Sequence, residues 1–188
     1  MPEIASHQFQ HDSRRDHQPF VCNRLPASCD VVVIGENPVS KMKKDWWLFW
    51  DHKNGFHLDK FEEAYKKARL ANSKPPISPT RLRRKRLRCN GLRCLETNFF
   101  SNEQLGGAGG GTPNGELLTT LIRHHIPHLK AVIVHGSVAR KRWRRLGLEL
   151  PSGVQSFYLR HFSRLSYAEI DEVSRKIQGT SVSPRHSG

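Results

Sequence analysis

Long apolar runs are missing from this chain. None approaches the length that crosses a bilayer as a helix, so the sequence argues against a helical membrane span. Segment 1–15 is polar and mixed in charge and lacks the apolar centre of a secretion signal. The expected location is the cytoplasm, nucleoid-associated in a bacterium or nuclear in a eukaryote. Cysteine is sparse. Cys22 and Cys29 are separated by six residues and Cys89 and Cys94 by four, so neither pair has CxxC spacing. They read as reduced structural thiols, with a four-thiolate metal or iron–sulfur site as the competing reading. The glycine tract 105–115 is not followed by Gly-Lys-Ser/Thr and so is no phosphate loop. His124, His125 and His128 lack a carboxylate at metal-site spacing, and Ser137 lacks the G-x-S-x-G elbow of a serine hydrolase. No internal repeat is present, and the reading calls for no metal and no cofactor.

Acidic residues are also scarce. Against 17 Asp and Glu stand 31 Lys and Arg, giving a formal net charge of +14. A chain this basic is suited to a nucleic acid or an anionic surface, although the charge says nothing about fold. The densest run is Arg81-Leu82-Arg83-Arg84-Lys85-Arg86-Leu87-Arg88. Phosphate contacts through Arg83, Arg84, Lys85 and Arg86 are the favoured reading; a solvated helix face or a nuclear-import signal are the alternatives. Lys141-Arg142-Trp143-Arg144-Arg145 sets basic residues around an aromatic and invites the same two readings.

The 188 residues suit one domain. Residues 1–18 and 179–188 lack apolar periodicity and are expected to be disordered, leaving 19–178 as the domain. Strands are expected at 30–34, 94–100, 131–134 and 155–159, and helices at 59–71, 115–125, 137–145 and 166–177. The run Val31-Val32-Val33-Ile34 suits a strand buried on both faces. Ser166 and Glu169 have the spacing of a capping box. Alternating strands and helices imply a three-layer α/β/α fold around a four-stranded parallel sheet.

In such a sheet, ligands bind beyond the carboxyl ends of the strands. Three expected strands end on polar residues: Gly35-Glu36-Asn37-Pro38, Thr97-Asn98 and His161. Asn37 can orient a water, and Pro38 stiffens its turn. The Asn98 amide offers an acceptor and two donors, enough to read the edge of a base. His161 can donate to an atom on which negative charge develops. Aromatic residues at 46–50 could stack on a flipped base, and Leu165 could fill the space it leaves.

Gly35-Glu36-Asn37-Pro38, Thr97-Asn98 and His161-Phe162-Ser163-Arg164-Leu165-Ser166 resemble, in order and spacing, the motifs of the uracil-DNA glycosylase superfamily. The resemblance covers about residues 28 to 178, and Asn in the first motif with His in the last is most similar to its single-strand-selective monofunctional and mismatch-specific branches. It implies a uracil-DNA glycosylase-like sheet and a base-excision-repair hydrolase, acting as a monomer on a damaged base flipped out of DNA. It further implies Asn37 and His161 as catalytic residues. Gly35, Glu36, Pro38, Asn98 and Ser163, with Phe49 or Trp50 as the stacking aromatic, would bind the base. Arg164 and Leu165 would probe the duplex. Phe162 and Arg164 stand where the superfamily usually has proline, and Val39 where it often has glycine. The iron–sulfur branches place their second cysteine pair beyond the asparagine strand, whereas here both pairs precede Asn98. No lysine lies at these strand ends, so no Schiff-base step is expected. The alternatives from other classes are a non-catalytic nucleic-acid-binding protein on the same fold and a hydrolase of free nucleosides or nucleotides.

Overall fold

In the computed structural model of this protein, residues 20–36, 46–51, 53–100 and 115–179 are described. Residues 1–18 and most of 179–188, expected to be disordered, lie outside them, as do Asn37, Pro38, Val39 and nearly all of the glycine tract.

The β-branched run forms β1 (Val31–Gly35), and every residue in it is buried. Side chains alternate across a strand, so a run apolar at every position must be covered on both faces. Two short strands, β2 (Trp50–Asp51) and β3 (Gly55–Phe56), pair as an antiparallel ribbon. The helices α1 (Leu58–Leu70) and α2 (Pro79–Cys89) follow. Then come β4 (Cys94–Asn98), α3 (Gly115–Thr120, continued by a wider turn over Leu121–His125) and β5 (Ala131–His135). The chain continues through α4 (Ser137–Leu146), β6 (Gln155–Leu159) and α5 (Tyr167–Gln178). β4, β1, β5 and β6 lie side by side in that order, all parallel. The result is a three-layer α/β/α fold, with five α-helices among the described residues. No helix among the described residues is long and apolar enough to cross a membrane.

Alternation splits the core in two. Val32, Ile34, Leu95, Val132 and Val134 face one layer with Phe61 of α1, Leu118 of α3 and Trp143 of α4. Val31, Val33, Cys94, Ala131 and Ile133 face the other with Leu87 of α2 and Ile170, Val173 and Ile177 of α5. Ser166 caps α5 through the expected capping box, its hydroxyl accepting from the Glu169 N–H while the Glu169 carboxylate accepts from the Ser166 N–H.

β6 borders the sheet, and Gln155, Ser156 and Tyr158 are exposed while Phe157 and Leu159 are half-buried. One expectation needs correcting. The second expected strand ends at Asn98, two residues early; the N–H groups of Phe99 and Phe100 still donate to the Gly35 and Glu36 carbonyls while their side chains enter the first core. The opposite border is covered by Val21, whose N–H and C=O both bond to Glu96 of β4 at 2.7 Å. Cys22, Cys29 and Cys94 are buried free thiols and Cys89 is an exposed one.

Candidate active site at the carboxyl edge of the sheet

Parallel pairing sets Gly35 beside Asn98, and the same register brings His135 to the end of the neighbouring strand. Positions 94, 96 and 98 of β4 and 131, 133 and 135 of β5 share a face because strand side chains repeat every two residues. That face is the one covered by α2 and α5. Gly35 is the gap around which the polar groups gather. A Cβ there would lie 2.6 Å from Asn98 Oδ1, 3.2 Å from His135 Nε2 and 3.3 Å from the Arg84 NH2 nitrogen. Asn98 is 9% exposed, so its amide works in a largely dry setting where a wrong hydrogen-bond partner is costly.

His135 is the residue that the sequence reading missed. It is 2% exposed, and its ring stacks on Phe162 with centroids 4.3 Å apart and planes 16° from parallel. Phe162 is thus the floor beneath this imidazole. Nε2 of His135 lies 3.3 Å from the Arg84 NH2 nitrogen. A guanidinium only donates, so Nε2 accepts and the ring proton sits on Nδ1. Burial first, then the charges of Arg84 and His161, push the His135 pKa well below its ordinary value, which keeps the ring neutral. The signal was present in the sequence: a polar residue ends a buried apolar strand, the rule that singled out Asn98 and His161.

His161 follows β6 and stands edge-on to His135, with ring centroids 5.3 Å apart. Its Nδ1 lies 2.7 Å from the Ser163 hydroxyl and accepts from the Ser163 backbone N–H at 3.3 Å. The proton is therefore on Nε2, which makes His161 a donor toward a ligand rather than a base. Burial, Arg84 and Arg164 lower its pKa, while Glu36 acts in the opposite sense. Glu36 is thereby electrostatically coupled to His161. Ser163 acts as an orienting partner of the imidazole, and Arg164 is exposed beside it.

The basic run of α2 is put to a different use from the one expected. Ser78 caps the helix and Pro79 opens it, which aligns Arg81, Arg84 and Arg88 along one face. All three converge on the Glu96 carboxylate, and Arg88 also meets Glu62 at 2.5 Å. Burial pushes Glu96 up, but the three guanidiniums outweigh it and hold the carboxyl at about 2. Arg83 donates to the Leu165 carbonyl at 2.8 Å and lies over the Tyr167 ring. Arg86 grips both oxygens of Asp171, at 2.7 and 2.8 Å. Of the four residues of this run expected to contact DNA, Arg84 is an internal ion-pair partner, Arg83 and Arg86 are engaged within the protein, and Lys85 is exposed.

Leu165 is 4% exposed and packs in the second core, so the side chain expected as a wedge is a core residue here. Phe49 is likewise taken up by the first core, against Phe56 and Phe61, because it lies on the inner side of the turn Trp46–Phe49. Trp50 is half-buried and stacks on Trp46 with centroids 5.5 Å apart. Exposed charge without an acidic partner among the described residues is also carried by α4, which begins just after His135 and Gly136. Among the described residues, Lys141, Arg144 and Arg145 are exposed and none of them has an acidic partner. No group of three or more His, Cys, Asp or Glu among the described residues is arranged to hold a metal.

A scan against protein-family models finds no match to this chain, and no curated protein matches it.

Proposed function

We propose that the protein is a monofunctional DNA glycosylase that removes uracil or a related deaminated base from DNA. The observation that carries this reading is that Asn98 and His161, 63 positions apart in the sequence, lie on either side of His135: Asn98 meets it at the bare backbone of Gly35, and His161 stands edge-on to its ring. The Asn98 amide accepts from N3–H of uracil and donates to O4, a pattern that cytosine reverses. The Nε2–H of His161 donates to O2, where negative charge collects as the base departs. One such preorganised donor is typically worth about 3 kcal/mol. The C1′–N bond breaks with its electron pair passing to the base. A water adds to C1′, and its proton ends on the departing base. Asn37, two residues after Gly35, holds that water.

The base reaches this edge only after leaving the stack, at a cost of roughly a few kcal/mol that is smallest in single strands and mismatches. The phosphates on either side run along α4, where Lys141, Arg144 and Arg145 supply charge that no carboxylate among the described residues consumes.

The test is base release from uracil-containing single-stranded and mismatched oligonucleotides, read as strand scission after alkali. Wild type should cleave, while Asn37→Ala and His161→Ala should lose cleavage and keep DNA binding. Tight, salt-sensitive binding with no scission on uracil, xanthine or hypoxanthine would favour the non-catalytic binding protein. Activity on free nucleosides or nucleotides would favour the third reading.

A further inference from the structure

Among the described residues, three buried N–H donors of this cluster have no acceptor: Nδ1 of His135, Nε of Arg84 and Nε of Arg81; of these only His135 and Arg84 are in contact with each other at the carboxyl edge. Buried donors normally find a partner, so unpaired donors gathered in one cluster ask for a ligand that accepts. The charge balance points the same way. Arg81, Arg84 and Arg88 bring three positive charges to a cluster whose carboxylates are Glu96 and Glu62, leaving one positive charge over. Arg81 and Arg88 meet Glu96 from the same helix, whereas Arg84 alone also reaches the carboxyl edge, 3.3 Å from His135 Nε2 and from the point where a Gly35 Cβ would stand. The surplus charge therefore borders the site itself.

We propose that His135 and Arg84 form a second anion-binding element in the floor of the site, unmarked by any of the motifs above. His135 donates Nδ1–H to the anion. Arg84 is a positioning residue that fixes the His135 tautomer and supplies the charge. The identity of the anion, a planar deprotonated pyrimidine, rests on the glycosylase reading; the preference for negative charge does not. The neutral His135 ring adds no second buried charge beside Arg84, and its stacking on Phe162 holds the donor in place.

The test is calorimetric titration of the full chain, without DNA, in mildly alkaline buffer. The probes are uracil, which is neutral there, and azauracil, in which one ring CH is replaced by N and which is ionised there. The expected result is an affinity for the azauracil anion about tenfold to a hundredfold above that for uracil, the range of one charge-assisted hydrogen bond. His135→Phe keeps the ring volume and the stack on Phe162 and should lower the ratio about tenfold, leaving only the share that the His161 donor supplies. Arg84→Lys should keep part of the preference, and Arg84→Met should remove it. Thermal melting checks that each variant is folded. Equal affinity of wild type for the two probes overturns the proposal without recourse to any variant, as does a ratio that is unchanged in both His135→Phe and Arg84→Met. Base release from DNA by a chain with no anion preference would sink this proposal and leave the glycosylase reading standing. An anion preference lowered in His135→Phe, with no base release from any DNA, would do the reverse.

Discussion

Replacing Glu96 by Gln keeps the shape of the side chain and removes the charge that Arg81, Arg84 and Arg88 share. Glu96 is 2% exposed, and its folded pKa is about 2 against an ordinary 4.5. A depressed carboxylate contributes stability that is fully present above its unfolded pKa and disappears as the pH falls through the folded one. The window is therefore pH 4.5 down to about 2. The difference corresponds to roughly 3 kcal/mol, at the lower end of the ~3–5 kcal/mol lost when one member of a buried ion pair is removed. Urea unfolding at neutral pH should show Glu96→Gln destabilised by about 3 kcal/mol. At about pH 3 the gap should narrow, because wild type is then losing the same charge. Asp171, held at about 2 by Arg86 and Asn90, titrates in both proteins and cancels in the comparison. A neutral-pH loss below about 1 kcal/mol, or a gap that stays constant between pH 4.5 and 2, would refute the claim that this carboxylate organises α2.

Gly35→Ala places a Cβ 2.6 Å from Asn98 Oδ1, so the amide has to turn. Base release should fall about a hundredfold with a stability cost of about 1–3 kcal/mol, and that cost should shrink in an Asn98→Ala background, where the close contacts with His135 and Arg84 remain. Leu165→Ala removes a side chain 4% exposed in the second core. It should cost about 2–5 kcal/mol in urea unfolding, whereas a projecting wedge would cost almost nothing. Replacing Lys141, Arg144 and Arg145 together by Gln should reduce the salt slope of single-strand binding by about 0.7 for each phosphate that is no longer neutralised. Arg86→Gln, whose guanidinium is tied to Asp171, should leave the slope nearly unchanged. Equal slopes for the two variants would remove α4 as the phosphate surface.

Much of the architecture was legible because it follows from local chemistry. The run Val31 to Ile34 required cover on both faces, and the spacing of Ser166 and Glu169 marked the start of α5. The rule that strand ends carry the chemistry found Asn98 and His161. The same rule applied once more would have found His135. The basic run misled because charge density alone does not tell a solvated arginine from a buried one. Arg81, Arg84 and Arg88 recur at helical spacing, and Glu96 sits in a strand buried throughout. Only their pairing across layers turns an expected DNA-binding run into an internal ion-pair cluster. Phe49 and Leu165 misled for a related reason: an aromatic or aliphatic side chain near a site is indistinguishable in sequence from one beneath it.

By itself the sequence determined the parallel sheet, its helical cover and the polar residues that end the strands, because apolar periodicity and capping act over a few neighbouring positions. Tertiary structure alone decided which of those residues meet. Register set Gly35 beside Asn98, and stacking on Phe162 fixed His135. The reach of α2 over β4 determined that Arg84 is half-buried and paired with Glu96 rather than free on the surface. Those outcomes depend on pairings between residues tens of positions apart, which no local pattern records.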